Sequence, residues 1–133
     1  MSQDHGTVQT DAIGFFGRRE MVVSIPLADN QGYDLVVEWR MRLLKVQVKT
    51  TTRRGRRGRF EVMLATAGGN QSYHTVKRFD AGAVDLLYVL TDAGDRYVIP
   101  ARAITATRGL GLGHKWEVYR VLPEPLGLRH MGD

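Results

Sequence analysis

Tyr33-Asp34-Leu35-Val36-Val37-Glu38-Trp39-Arg40-Met41-Arg42-Leu43-Leu44-Lys45-Val46-Gln47-Val48-Lys49-Thr50 decides how this chain folds. Its second half alternates, so that Leu44, Val46 and Val48 share one side of an extended strand and Lys45, Gln47 and Lys49 share the other. The two extended runs, Tyr33–Glu38 and Arg42–Thr51, stand so close that an antiparallel hairpin joins them. A turn centred on Arg40-Met41 sets Asp34 opposite Gln47, with Lys49 one step further along the same side. Directly opposed residues have Cβ atoms about 4.5–5.5 Å apart. A carboxylate, an amide and an ammonium therefore converge at one sheet edge. Phosphodiester hydrolysis calls for such a set: a hard oxygen ligand for a divalent cation, a second oxygen to fix it, and a positive charge beside the attacking water or the developing anion.

Outward from the hairpin, the spacing of Val8, Ala12, Phe15, Phe16 and Arg19 predicts a helix over Thr7–Arg19. Gly14 and Gly17 weaken it by about 1 kcal/mol each, so packing must hold it. Met21–Leu27 reads as a strand ended by Pro26 and the polar residues after it. Downstream, strands are expected at Phe60–Thr66, Val84–Leu90 and Arg96–Ile99, with a loop over Ala67–Ser72. Pro100 opens a short helix over Ala101–Ile104, and Trp116–Val121 reads as a last edge strand. Residues 1–122 form one domain in this reading, and 123–133, with two prolines and two glycines, form a flexible C-terminal tail.

Composition narrows the classes of function. The chain has 133 residues, 43% of them hydrophobic, which suits one globular core. It has no cysteine, which excludes disulfide frameworks, thiolate metal sites and cysteine nucleophiles. No apolar run reaches the roughly 18 residues of a membrane span, and the first residues lack the pattern of a secretory signal. A soluble cytoplasmic protein is expected, without a membrane partner. Its net charge of +5 is unevenly placed. Nine cations (Arg40, Arg42, Lys45, Lys49, Arg53, Arg54, Arg56, Arg57 and Arg59) fall in one stretch without an acid. Such a block repels itself unless solvent or a polyanion accepts it, and the phosphate backbone of nucleic acid is the common polyanion.

The hairpin, with Val23-Ser24-Ile25-Pro26-Leu27-Ala28-Asp29-Asn30 before it, Gly68-Gly69-Asn70-Gln71-Ser72 and Val76-Lys77-Arg78-Phe79 after it, and Val84-Asp85-Leu86-Leu87 leading to Tyr97-Val98-Ile99-Pro100, resembles the PD-(D/E)XK nuclease superfamily. More closely, it resembles the branch associated with group I intron homing endonucleases, in which a glutamine replaces the usual acid. The resemblance implies an α/β fold with a restriction endonuclease-like core of α-β-β-β-α-β order, a central mixed sheet flanked by helices. It implies a metal-dependent DNA endonuclease using Mg²⁺ (or Mn²⁺), in which Asp34 and Gln47 ligate the metal and Lys49 orients or polarises water. Gln9 stands where the family commonly has a helix glutamate, so one formal negative charge is left at the site. A homodimer or tetramer on DNA is implied too, since duplex cutting needs two active sites. Alternatives are a Holliday-junction-type resolvase and a catalytically weak DNA-binding protein of the same fold.

DNA contacts are expected from Arg53, Arg54, Arg56, Arg57 and Arg59, and from Asn70, Gln71, Ser72, Lys77 and Arg78. Gly109-Leu110-Gly111-Leu112-Gly113 lacks the Lys-Ser/Thr and the strand-loop-helix setting of a phosphate loop, so no nucleotide cofactor is expected. His5, His74, His114 and His130 have no metal-ligand spacing and read as surface residues.

Overall fold

The computed structural model describes residues 5–28, 31–51, 54–67 and 76–122. The chain opens with helix α1 (His5–Gly17), whose buried face is Val8, Ala12, Phe15 and Phe16, as the spacing predicts. Strands β1 (Val22–Ser24), β2 (Leu35–Trp39) and β3 (Arg42–Thr51) follow, then the short strands β4 (Glu61–Met63), β5 (Thr66–Ala67) and β6 (Val76–Lys77). The chain continues through β7 (Leu86–Thr91), β8 (Arg96–Pro100) and β9 (Gly109–Gly111). A five-stranded sheet has the order β1-β2-β3-β7-β8. Only β3 and β7 within it run parallel, so the sheet is mixed, as expected.

The hairpin register is the predicted one: Leu35 pairs with Val46, Val37 with Leu44 and Trp39 with Arg42. Its two-residue turn places Arg40 at φ 50° and Met41 at φ 67°. These are left-handed conformations that suit the right-handed twist of the strands but disfavour side chains other than Asn, Asp or Gly. The turn therefore forms because the flanking strands demand it, without the residues that would favour it locally.

Two apolar clusters sandwich the sheet. On one side α1 packs against Leu35, Val37, Val46, Val48, Tyr88 and Leu90. On the other, Leu87, Val89, Tyr97 and Ile99 pack with Val62, Leu64, Phe79, Ile104, Leu110 and Trp116. That second face is covered by the β4-β9 pair and by 3-10 turns at Ala101–Ala103 and His114–Tyr119, with no second α-helix among the described residues.

Several element boundaries differ from the sequence reading. The first strand shrinks to Val22–Ser24, because Pro26 has no N–H to pair and Ile25 and Leu27 face solvent. The second begins only after Asp34. The expected strand Phe60–Thr66 divides into β4 and β5, which places Ala67 in a strand; residues 68–72 of the expected loop lie outside the described residues. The helix at Ala101–Ile104 is a single 3-10 turn. Trp116–Val121 is not an edge strand. Its inward residues, Trp116 and Tyr119, recur at three rather than two and Val118 is 78% exposed, so the segment winds as a 3-10 helix that seats Trp116 in the core. The tail, 123–133, lies outside the described residues. No helix among those described is long and apolar enough to cross a membrane.

Candidate active site

Asp34 occupies the point at which β2 leaves β3. Its backbone N–H still donates to the Val46 carbonyl at 2.8 Å, but the next rung of the ladder is made by its side chain: the Val48 N–H donates to Asp34 Oδ2 at 2.8 Å. The carboxylate is thereby fixed over the one residue separating Gln47 from Lys49. The strand pairing that would otherwise cover this spot is gone, and hollows open there. One of about 280 Å³ is lined by His5, Val8, Asp34, Gln47, Val48, Lys49 and Thr50. A second, of about 470 Å³, shares His5 and Asp34 and extends past Gln9, Pro26 and Tyr33. A third, of about 300 Å³, shares Gln47 and carries Lys77 and Arg78 on its wall.

Gln47 projects from β3 on the side away from α1. Its Oε1 is buried and has no hydrogen-bond partner. An orphaned buried acceptor costs about 1–3 kcal/mol, so such an atom in a native site asks for an explanation. Lys49, on the same side of the strand, is partly buried, and burial lowers its pKa from the ordinary lysine value while the nearby Asp34 charge partly opposes the shift. Gln9 reaches the site differently from the expectation: its Nε2 donates to the backbone carbonyl of Asp34 at 3.3 Å, so it anchors the strand entry to α1.

One contact was missed by the sequence reading. His5 is not an idle surface residue, because its Nε2 lies 3.0 Å from Asp34 Oδ1. The available signal was its spacing from Gln9, four residues on, which puts both on one face of α1. A polar network behind the site was missed as well. Arg96 grips Asp11 with two hydrogen bonds, at 2.8 and 2.6 Å, and the Tyr88 hydroxyl donates to the same carboxylate at 2.6 Å. Burial alone would raise the Asp11 pKa, but the Arg96 and Tyr88 hydrogen bonds outweigh it and hold the carboxyl below its ordinary value. Burial and the Asp11 bond push the Tyr88 hydroxyl well up.

The expected DNA-contacting residues are dispersed. Arg54 stacks over the Phe60 ring at 3.9 Å and donates to the Gly58 carbonyl at 2.7 Å, while Arg57 is exposed in a left-handed turn at φ 61°. Arg59 lies along glycines at and just after the end of β9: a Cβ on Gly111 or on Gly113 would come within 2.8 Å of its guanidinium. Lys77 and Arg78 are exposed beside the Gln47 hollow. Arg53, Asn70, Gln71, Ser72 and the Arg56 side chain lie outside the described residues.

The family model described as PD-(D/E)XK endonuclease matches residues 3–109, which takes in α1, the whole hairpin and the rest of the five-stranded sheet. The chain belongs to the PD-(D/E)XK endonuclease family. A solved structure titled as that of a bacterial homing endonuclease, I-Ssp6803I, superposes with a TM-score of 0.70 at 23% identity, over 91% of this chain and 81% of that one. At that identity the likeness establishes a shared fold. No curated protein matches.

PD-(D/E)XK nucleases generally use divalent metals, and the donors present here suit one. Among the described residues no three His, Asp or Glu side chains gather as a metal cage. The oxygen donors are instead mixed, with the Asp34 carboxylate beside the unpartnered Gln47 Oε1. Such hard oxygens fit Mg²⁺, which is commonly held by one or two carboxylates, with waters and substrate phosphate filling the remaining positions.

Proposed function

We propose that this PD-(D/E)XK endonuclease is a Mg²⁺- or Mn²⁺-dependent DNA endonuclease with Asp34, Gln47 and Lys49 at its centre. The observation that carries this reading is the buried Gln47 Oε1, left without a partner beside a carboxylate whose position is fixed by the Val48 N–H. When bound, the cation supplies charge neutralisation at the scissile phosphate and lowers the pKa of a water.

The chain's own residues do the rest. Asp34 and Gln47 hold the cation, and the rigid β3 backbone keeps the two in register. Gln9, by tying α1 to the Asp34 carbonyl, keeps the strand entry from drifting. Lys49, partly stripped of water, places its amine beside the hollow; there it orients the attacking water and offsets charge as the phosphorane-like transition state forms. Lys77 and Arg78 donate to the backbone phosphates next to the cut, and the Arg54–Arg59 loop grips phosphates further along with an affinity that falls with salt. Cutting both strands of a duplex requires two such centres, so the active species is a dimer or tetramer of this chain.

Nicking of supercoiled plasmid in Mg²⁺ tests the proposal. Wild type converts the substrate to open circles, Asp34→Ala and Lys49→Ala do not, and EDTA stops the wild type. Equal nicking by all three proteins refutes the assignment. Four-way junctions added as competitor report whether branched DNA is preferred to linear duplex.

A further inference from the structure

His5 stands at the site with a nitrogen donor that the roles of Asp34, Gln47 and Lys49 leave unused. It projects from the first turn of α1, four residues before Gln9, and its Nε2 lies 3.0 Å from Asp34 Oδ1. Among the described residues that line the two hollows beside Asp34, it is the only other side chain that offers an imidazole or carboxylate donor. Asp34 Oδ2 is engaged by the Val48 N–H, so Oδ1, the oxygen facing His5, is the more available one for a cation.

The spacing has a geometric meaning. Two ligands at right angles on an octahedral cation, each about 2.0–2.1 Å from it, are about 2.9 Å apart. The imidazole nitrogen and the carboxylate oxygen already stand at that separation. The two atoms that face one another in the free protein are thus already close enough to share one cation. With amides at both Gln9 and Gln47, and the Gln9 Nε2 occupied by a backbone carbonyl, His5 is the side chain on α1 able to add a strong donor.

We propose that His5 is a nitrogen ligand of the divalent cation, completing a set of Asp34 Oδ1, Gln47 Oε1 and His5 Nε2. This rests on the metal-dependent reading above. It carries a consequence for metal choice. An imidazole favours first-row transition metals over Mg²⁺, whereas an all-oxygen site discriminates less. The centre therefore prefers Mn²⁺ or Co²⁺ to Mg²⁺ by a wider margin than carboxylate-only sites do.

Titration of the untagged full chain with Mn²⁺, without DNA, tests this by calorimetry and pulsed EPR. Bound Mn²⁺ in the wild type shows ¹⁴N modulation from imidazole. In His5→Gln that modulation disappears and Mn²⁺ affinity falls at least about tenfold, with a smaller loss for Mg²⁺. In Asp34→Ala, binding is lost. If His5→Gln keeps both the modulation and the affinity while Asp34→Ala loses binding, the role of His5 is refuted and the site itself stands. If Asp34→Ala binds Mn²⁺ as well as wild type, the metal centre and the His5 inference fail together.

Discussion

Asp11, on α1, and Asp34, which faces the first turn of α1, make an instructive pair, because only the first carboxylate is committed to partners within the fold. Asp11 receives two hydrogen bonds from the Arg96 guanidinium and one from the Tyr88 hydroxyl, so both of its oxygens are engaged and its charge is neutralised within the fold. Asp34 receives one backbone N–H on Oδ2 and faces an exposed imidazole on Oδ1. Beside it stands an amide oxygen with no partner, and a lysine whose charge is disfavoured by burial. The first arrangement ties α1 to β7 and β8. The second leaves bonding capacity open, which costs stability and is sensible only where something else binds.

The largest expected effect follows from removing the open carboxylate. Asp34→Ala lowers Mg²⁺-dependent nicking by at least about a hundredfold, since charge stabilisation at a metal is worth several kcal/mol. Urea midpoints should change little, because the Asp34 side chain accepts one backbone hydrogen bond and meets an exposed histidine, and its main-chain bonds survive the substitution. A variant that lost stability in proportion to activity would make Asp34 a structural residue like Asp11.

Asp11→Ala should do the reverse. It strands Arg96 and the buried Tyr88 hydroxyl, and the expected cost is about 2 kcal/mol after allowing for the partial exposure of Arg96. Nicking per folded molecule stays at the wild-type level. The pH dependence has a definite sign. The Asp11 pKa lies below its ordinary value, so its stabilisation is present above the unfolded pKa and is lost as pH falls through the folded one. Asp11→Asn flattens that acid limb in urea titrations.

Gln47→Leu separates stability from function within the open site. It deletes the orphaned acceptor, and replacement by an apolar side chain of similar size should raise stability by about 1 kcal/mol while nicking and Mn²⁺ affinity fall. A destabilised Gln47→Leu protein would mean that the amide oxygen has a partner after all.

How far the site was legible depended on whether its parts were local. Alternation along β3 and the short gap before it were enough to place Leu35 opposite Val46, and so to bring Asp34 to Gln47. The family likeness rested on those residues, and residues 3–109 match the family. The turn itself had no local signature, since Arg40 and Met41 adopt left-handed conformations imposed by the strands. Trp116–Tyr119 misled because a spacing of two and a spacing of three both fit a few apolar residues, and only burial of Trp116 against the core decides between them. His5 and the Asp11–Tyr88–Arg96 network were invisible for another reason. Their partners lie 29, 77 and 85 residues away, and nothing in the local pattern of a helix says which distant strand its polar face will meet.

Lys49 supplies the finest test of the contrast, because its signature is a slope rather than a loss. Burial depresses its pKa below the ordinary lysine value, so within the window between the folded and unfolded pKa the unfolded chain binds a proton that the folded one does not. Stability contributed by this group therefore rises with pH through that window, and below it the protein carries the cost of a partly buried ammonium. Lys49→Met removes the cost. The variant should be more stable than wild type at neutral pH, and the two urea midpoints should converge as pH climbs toward the ordinary lysine range. Tyr88 opposes the rise at its upper end, since its raised pKa makes the unfolded chain lose the hydroxyl proton first. That contribution is common to both proteins and cancels in the difference. A constant gap between the two curves from neutral to alkaline pH would show that Lys49 is solvated like any surface lysine, and the amine would lose its claim to a place beside the reacting water.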